Sequence, residues 1–154
     1  MNHLISNTKI RFFLIPIIII LLFIQCDDDD TPVFPYVRFN ITLSISNDLL
    51  NMNIGEYVFV SGYNYGLGGL IIYRKDYSEY LAFDRACTHE AKKSCIVEDD
   101  IELTGLLVEC SCCGSKYWVI NTEDFGAVHE GPARHSLMQY RTYLSLNSLI
   151  VYND

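Results

Sequence analysis

The feature that most constrains the fold is a series of short apolar segments separated by turn-forming residues. Between Val37 and Ile45, apolar and polar residues alternate at every position, which is typical of a strand with one buried face. Seven further apolar segments follow, at 57–60, 70–74, 80–83, 103–110, 116–120, 140–146 and 149–152. Many short strands at nearly regular spacing predict an all-β fold, a sandwich of antiparallel sheets.

Two intervening stretches need separate interpretation. The segment "ISNDLLNMNIG" at 45–55 is the one place where we expect a helical turn or two. The glycines of "GYNYGLGG" at 62–69 lack the strand-to-helix context and the Lys-Ser/Thr of a phosphate-binding loop, so they predict a hairpin turn.

Size and charge limit the classes of function. The chain has 154 residues, half of them apolar, which is enough for one packed domain of ordinary size. Eleven Lys and Arg against nineteen Asp and Glu give a net charge of −8. Because nucleic-acid binding depends on a basic surface, we expect no nucleic-acid partner.

The N-terminal segment predicts export. Lys9 and Arg11 precede an apolar stretch, Phe12 to Ile24, which is shorter than the roughly twenty residues of a membrane span and is typical of a signal peptide. Cys26 and the acidic "DDDD" after it resemble the acylation site of Bacteroidetes lipoproteins. We therefore predict a signal peptide at 1–25, an acidic, proline-containing linker at 26–35 and a domain at 36–154.

That resemblance implies a location as well. Acylation of Cys26 would anchor the protein by lipid on the outer side of the inner membrane or on the outer membrane, with surface exposure as one outcome. The alternative is an uncleaved anchor in which Cys26 is an ordinary thiol. Both interpretations place the domain in the cell envelope.

The cysteines predict a metal site. Cys87 and His89 form a C-x-H pair, and Cys110 and Cys113 form a C-x-x-C pair. Each pair follows an apolar segment, so two loops leaving strand ends can face each other. Ligands two or three residues apart in a tight loop place their donor atoms close enough for one metal centre.

The same residues resemble a known family. "CTH" at 87–89, "CSCCGSKY" at 110–117 and "GPA" at 131–133 are similar to the motifs of the Rieske iron–sulfur domain, over about residues 36–154. The resemblance implies a Rieske-like antiparallel β-sandwich with two projecting loops that bind a 2Fe–2S cluster. It assigns Cys87 and Cys110 as cysteine ligands and His89 as the first histidine ligand. Cys113 stands where the family has its second histidine.

The resemblance assigns further residues. It implies a disulfide between Cys95 and Cys112, which suits an exported protein. Ser115 and Tyr117 match residues that hydrogen-bond a bridging sulfide and a cysteine ligand. Gly131, Pro132 and Ala133 match the loop that covers the cluster in that family.

The cysteine at position 113 changes the expected chemistry. A thiolate adds negative charge where a neutral imidazole would stand, so the reduction potential should fall and simple electron transfer with an unknown redox partner is expected. Three thiolates and one imidazole are also a structural zinc set. The absence of a twin arginine near Arg11 indicates export of an unfolded chain, which favours zinc or a metal-free site with a second disulfide, Cys110–Cys113 or Cys87–Cys113.

No catalytic site follows from the sequence alone. A Ser-His-Asp set, a paired acidic motif and a nucleotide fingerprint do not stand out, so enzymatic activity beyond electron transfer is left open. The alternative function is that of a non-enzymatic cell-envelope protein with structural zinc or disulfides. His129 and His135 are candidate replacement ligands, and Asp84 and Arg85 are expected to brace the first loop.

Overall fold

The computed structural model describes residues 34–103, 105–120 and 123–154, which belong to one compact unit. The predicted signal peptide, Cys26 and most of the predicted linker lie outside the described residues. Within the described residues, no helix is both long and apolar enough to cross a membrane.

The described part of the chain folds into ten strands connected by turns and loops. In chain order they are β1 (Phe39–Ser44), β2 (Tyr57–Val60), β3 (Leu70–Arg74), β4 (Tyr80–Asp84), β5 (Val97–Asp99), β6 (Leu107–Cys110), β7 (Lys116–Trp118), β8 (Val128–Glu130), β9 (Gln139–Ser145) and β10 (Ser148–Asn153).

The strands form two antiparallel sheets. A six-stranded sheet has the order β1-β10-β9-β4-β3-β2, and a four-stranded sheet has the order β5-β6-β7-β8. Every pairing is antiparallel, so the predicted all-β, antiparallel fold is confirmed. The glycine-rich stretch at 62–69 connects the antiparallel strands β2 and β3, as predicted. The expected helical segment forms turns, in which the N–H groups of Asp48 and Leu49 both bond the carbonyl of Ser44.

Strand β3 is buried on both faces. Leu70 and Ile72 point into one hydrophobic cluster, while Ile71 and Tyr73 point into a second one. All four side chains are at most 4% exposed, and burying a side chain of this size contributes roughly 1.5–3 kcal/mol. The second cluster also contains residues of the four-stranded sheet and of the predicted site, among them Cys87, Cys95, Val108, Cys110, Tyr117 and Val119.

Asp84, at the end of β4, anchors the start of the loop between β4 and β5, which carries Cys87 and is called the first cysteine loop. Its buried carboxylate accepts hydrogen bonds from the N–H groups of Leu67 (2.5 Å), Gly68 (2.9 Å) and Ala86 (2.6 Å) and from the Tyr140 hydroxyl (2.6 Å). A buried carboxylate is tolerated when its acceptor positions are filled in this way. Asp84 therefore joins the glycine-rich hairpin, the first cysteine loop and β9.

Arg85 braces the other side of the same loop. Its guanidinium donates to the carbonyl of Val97 (3.2 Å from Nη2) and lies over the ring of Phe59, 4.3 Å from the centroid. The side chain thus connects the edge strand of one sheet to the edge strand of the other. Both residues that the sequence assigned to bracing have that role.

Candidate metal centre

Two loops bring the predicted ligands together. The first runs from β4 to β5 and is closed by a hydrogen bond from the Cys87 N–H to the Cys95 carbonyl (2.9 Å). The second, between β6 and β7, is a tight turn in which Gly114 N–H donates to the Cys110 carbonyl (3.0 Å). Gly114 has a φ of +71°, a left-handed conformation that glycine adopts without strain.

Three thiols converge between these loops. The sulfurs of Cys87, Cys110 and Cys113 all lie within 4.8 Å of one another, and those of Cys87 and Cys113 are 3.6 Å apart. Sulfurs bound tetrahedrally to one zinc ion lie about 3.8 Å apart, given Zn–S bonds of about 2.3 Å. Cys87 and Cys110 are buried and Cys113 is partly exposed, so the cluster lies at the edge of the core.

The three thiols differ in their electrostatic surroundings. Burial raises the pKa of Cys110 to about 12, although the backbone N–H groups of Cys113 and Cys112 donate to its sulfur and oppose this shift. Burial also acts to raise the pKa of Cys113. There, hydrogen bonds from Ser115 and contacts with the other two thiols bring the pKa below its ordinary value. A metal ion would favour all three thiolates.

His89 lies outside the sulfur group. Among the described residues, the atoms that lie within 4.8 Å of one another are the three sulfurs alone, without a nitrogen of His89. Its Nδ1 is nevertheless buried and has no hydrogen-bond partner. Since a buried nitrogen without a partner is costly, this atom is suited to an additional ligand such as a metal ion.

A disulfide joins the two loops. Cys95 of the first loop is bonded to Cys112 of the second, with their Cα atoms 5.4 Å apart and a sequence separation of 17. These are the two residues that the Rieske resemblance pairs. Because Cys112 lies between Cys110 and Cys113, the bond fixes the second loop directly beside the thiols.

Removing this disulfide should destabilise the protein without removing a thiol of the cluster. For a closed loop of 17 residues, chain entropy gives a loss of about 3 kcal/mol in the Cys95→Ala/Cys112→Ala variant. Urea unfolding of both proteins in the metal-free state measures the difference. A loss below about 1 kcal/mol would mean that other contacts hold the loops equally well.

A chain of hydrogen bonds leads from Cys87 to His135, which follows the predicted covering loop at 131–133. The Tyr117 hydroxyl contacts the Cys87 sulfur (3.2 Å) and Thr88 Oγ1 (3.1 Å), and Thr88 Oγ1 donates to the carbonyl of His135 (2.6 Å). Burial raises the pKa of Tyr117, and the bond with Cys87 raises it further, so the phenol keeps its proton.

The number of available protons determines which atom donates in each of these hydrogen bonds. A carbonyl only accepts, so the single proton of Thr88 goes to His135. The Tyr117 proton then points to Thr88 when Cys87 is a thiol that donates its own proton to the phenol oxygen. When Cys87 is a thiolate, its sulfur competes with Thr88 for that same proton. Ionisation or metal binding at Cys87 should therefore reorient the Tyr117 hydroxyl.

Ser115 connects the thiols to the predicted covering loop. Its hydroxyl lies 3.1 Å from the Cys113 sulfur and accepts the N–H of Ala133 at 3.0 Å. Gly131 packs directly on Ser115, since a Cβ at position 131 would lie 2.6 Å from the Ser115 Cα. Pro132, between these two contacts, is exposed.

Replacing Gly131 by alanine should displace this loop. Its φ of +101° is unfavourable for alanine, and the new methyl group would meet backbone rather than a flexible side chain. We expect a loss of about 2.5 kcal/mol in the free energy of unfolding. Gly105→Ala is the control, because φ is +81° there but nothing lies within 4 Å, so about 1 kcal/mol is expected. Equal losses in urea unfolding would argue against close packing at Gly131.

The candidate replacement ligands have other positions. His129 lies on β8 with its exposed ring against Trp118, 4.4 Å between ring centroids. His135 takes part through its backbone carbonyl, as the acceptor for Thr88. Neither joins the group of sulfurs. The residue that sequence reasoning missed is Thr88, although its place between Cys87 and His89 was a signal that it would lie at the site.

Beside the second loop, Lys116 ties the outer face of the four-stranded sheet together. Its ammonium group lies 2.8 Å from Asp100, 3.4 Å from Glu130 and 3.9 Å from Glu109. The hydrogen bond from Lys116 lowers the pKa of Asp100 to about 2, with help from the N–H groups of Leu103 and Glu102. Lys116 thereby connects β6, β7 and β8 next to the thiols.

Comparisons with known proteins give distant structural similarities. No protein-family model matches the sequence, and no curated protein matches it significantly. A chain from the solved complex of reduced oxygenase and oxidized ferredoxin in carbazole 1,9a-dioxygenase is 20% identical, with a TM-score of 0.45, over 72% of this chain and 99% of that one. The ferredoxin of Sphingomonas yanoikuyae B1 is 20% identical, with a TM-score of 0.39, over 66% and 89%. Similarity at this level assigns neither a family nor a function.

Proposed function

We propose that this protein binds a 2Fe–2S cluster and transfers single electrons. The observation that carries the proposal is the separation of the donors: three converging sulfurs, and a buried, partnerless Nδ1 of His89 that lies outside their group. One metal ion needs all four donors within about 4 Å of one another. A binuclear cluster divides its ligands between two irons, which suits a nitrogen set apart from the sulfurs.

The proposed ligands are Cys87, Cys110, Cys113 and His89. Such a cluster, when bound, accepts and releases one electron at a potential set by its ligands and their hydrogen bonds. Three thiolates hold more negative charge at the site than two thiolates and two imidazoles would, which lowers that potential. The Tyr117 hydroxyl opposes this effect by donating toward the sulfur of Cys87, and Ser115 does the same at Cys113.

Replacing Tyr117 by phenylalanine should therefore lower the reduction potential. Loss of one hydrogen bond to a charged sulfur corresponds to about 1.5 kcal/mol, or roughly 65 mV for one electron. Redox titration followed by visible absorption measures the shift. Thr88→Val is the matched control, because it removes the competing acceptor from the same hydroxyl and should raise the potential. A shift in the same direction for both variants would show that packing, rather than the hydrogen bond, controls the potential.

A specific distance favours a second candidate, a structural zinc site. The 3.6 Å between the sulfurs of Cys87 and Cys113 is close to the spacing expected around one zinc ion. In that case the three thiolates would hold the ion, and the protein would be a non-enzymatic component of the cell envelope.

The predicted N-terminal features complete the proposal. We propose that the chain is exported, acylated at Cys26 and anchored by lipid in the cell envelope, where it exchanges electrons with a redox partner protein. The apolar segment before Cys26 and the acidic residues after it support this location. Labelling with a fatty acid should mark the protein, and Cys26→Ala should abolish the label.

Metal analysis tests the two candidates against each other. Residues 27–154 are produced in the cytoplasm, the whole chain is exported in parallel, and iron, zinc and acid-labile sulfide are measured per chain. Two irons and two sulfides per chain would support the cluster. Nitrogen hyperfine coupling in the electron paramagnetic resonance spectrum of the reduced protein should disappear in His89→Ala. One zinc and no sulfide in both samples would replace the electron-transfer proposal with the structural one.

A further inference from the structure

The contact between the sulfurs of Cys87 and Cys113 suggests that these two residues react with each other. We propose that these two residues form a reversible disulfide in the metal-free protein and that this bond controls whether the site can take up metal. The control of loading rests on the metal binding proposed above, whereas formation of the bond does not depend on it.

The positions of the two sulfurs favour the bond. They lie 3.6 Å apart, so a shift of about 1.5 Å, within the range of small side-chain rotations, would bring them to the 2.05 Å of a disulfide. The neighbouring Cys95–Cys112 disulfide already holds the two loops together beside them. Closing a second bond therefore costs little further chain entropy.

Differences among the thiols favour Cys113 as the residue that first reacts with an oxidant from outside. Cys113 is partly exposed, whereas Cys87 and Cys110 are buried. A dissolved oxidant therefore reaches Cys113 first, and Cys87 is in contact to complete the bond. The Cys110 sulfur already accepts the N–H groups of Cys112 and Cys113, and a bond to another sulfur would disturb these hydrogen bonds.

The reaction balances with a low-molecular-weight disulfide as the oxidant. The thiolate of Cys113 attacks one sulfur of that molecule, forms a mixed disulfide and releases the first thiolate. Cys87 loses its proton to solvent and attacks the sulfur of Cys113, which releases the second thiolate. The two protein thiols are oxidised by two electrons, and the small disulfide is reduced to two thiols.

This bond would close the site to metal. It consumes two of the three clustered thiols and leaves Cys110 as the single free thiol in the described part of the chain. One thiolate and the imidazole of His89 are too few ligands for either candidate metal centre. Reduction of the bond would restore all three thiols, so the site would load only after the pair had been reduced.

The positions of lysine and arginine make the bond directly observable. Trypsin cuts after Arg85, Lys92, Lys93 and Lys116, so Cys87 lies in the peptide 86–92 while Cys95, Cys110, Cys112 and Cys113 all lie in 94–116. A bond from Cys87 joins the two peptides. The Cys95–Cys112 bond and a bond between Cys110 and Cys113 stay within one peptide.

The experiment treats the metal-free full-length protein with oxidised glutathione, blocks free thiols at low pH and digests with trypsin. Mass spectrometry should show 86–92 linked to 94–116 in the unchanged protein and in Cys110→Ser, but not in Cys113→Ser. Uptake of zinc ion alone should fall at least tenfold in the oxidised protein and return after mild reduction.

Several results would overturn the proposal. Glutathione adducts without linked peptides, or linkage that persists in Cys113→Ser and disappears in Cys110→Ser, would exclude the pair. Linked peptides with unchanged zinc uptake would exclude control of loading. A protein that binds zinc reversibly under this control but never binds iron would remove the electron-transfer proposal and leave the present one standing.

Discussion

Replacing Asp84 by asparagine should lower the free energy of unfolding by about 4 kcal/mol. The carboxylate has four donors around two oxygens: Gly68 and Ala86 at one, and Leu67 and Tyr140 at the other. An asparagine NH₂ group must face one of these pairs. The Tyr140 hydroxyl can rotate to accept, but at least one backbone N–H would remain buried against another donor.

Tyr140→Phe is the matched control for this prediction. It removes one of the four donors and leaves the carboxylate with three backbone N–H groups, so a loss of about 1.5 kcal/mol is expected. Urea unfolding of the metal-free proteins measures both losses. If the free energy of unfolding fell no more in Asp84→Asn than in Tyr140→Phe, Asp84 would not be the anchor of the first cysteine loop.

Replacing Cys87 by serine should reduce metal affinity by more than 100-fold. The residue is 0% exposed, its sulfur contacts Cys113 and Tyr117, and a hydroxyl is a poor ligand for zinc or for iron in a sulfur cluster. Loss of an outer hydrogen-bond partner of a metal ligand already costs 10- to 100-fold, so loss of the ligand itself should cost more. Metal content after dialysis against a chelator of known affinity measures the change.

The control for Cys87→Ser is the Cys95→Ala/Cys112→Ala variant. That variant loses two sulfurs beside the site but keeps all three clustered thiols, so it should retain metal while being less stable. Near-ultraviolet circular dichroism establishes that each variant is folded. Retention of the full metal content by Cys87→Ser would exclude the three thiols of Cys87, Cys110 and Cys113 as the metal site.

Most of the strands were predictable because their residues alternate or form apolar runs. The prediction missed β5 and β8, whose sequences, "VED" and "VHE", each contain a single apolar residue. These edge strands form because their backbones pair with β6 and β7, as in Val97 opposite Cys110, and not because of a local pattern.

The site was predictable only in part, for the same reason. Sequence spacing indicated that Cys87, Cys110 and Cys113 would meet, because loops at strand ends carry them. It could not show that His89 Nδ1 is buried outside their group, since that depends on packing around the side chain. The role of Thr88 was equally hidden, because its partners Tyr117 and His135 are 29 and 47 residues away.

The double-sided burial of β3 has a consequence for how the thiols are protected. Since β3 supplies side chains to both hydrophobic clusters, disruption of either cluster removes packing from this strand. We therefore expect that Cys87 becomes exposed to solvent only when the whole domain unfolds. Amide hydrogen exchange in β3 and β6 should then give the same free energy of opening. A cavity made at Leu149 or Val151, in the cluster that contains none of the thiols, should accordingly shorten the time for which the protein would retain the proposed metal.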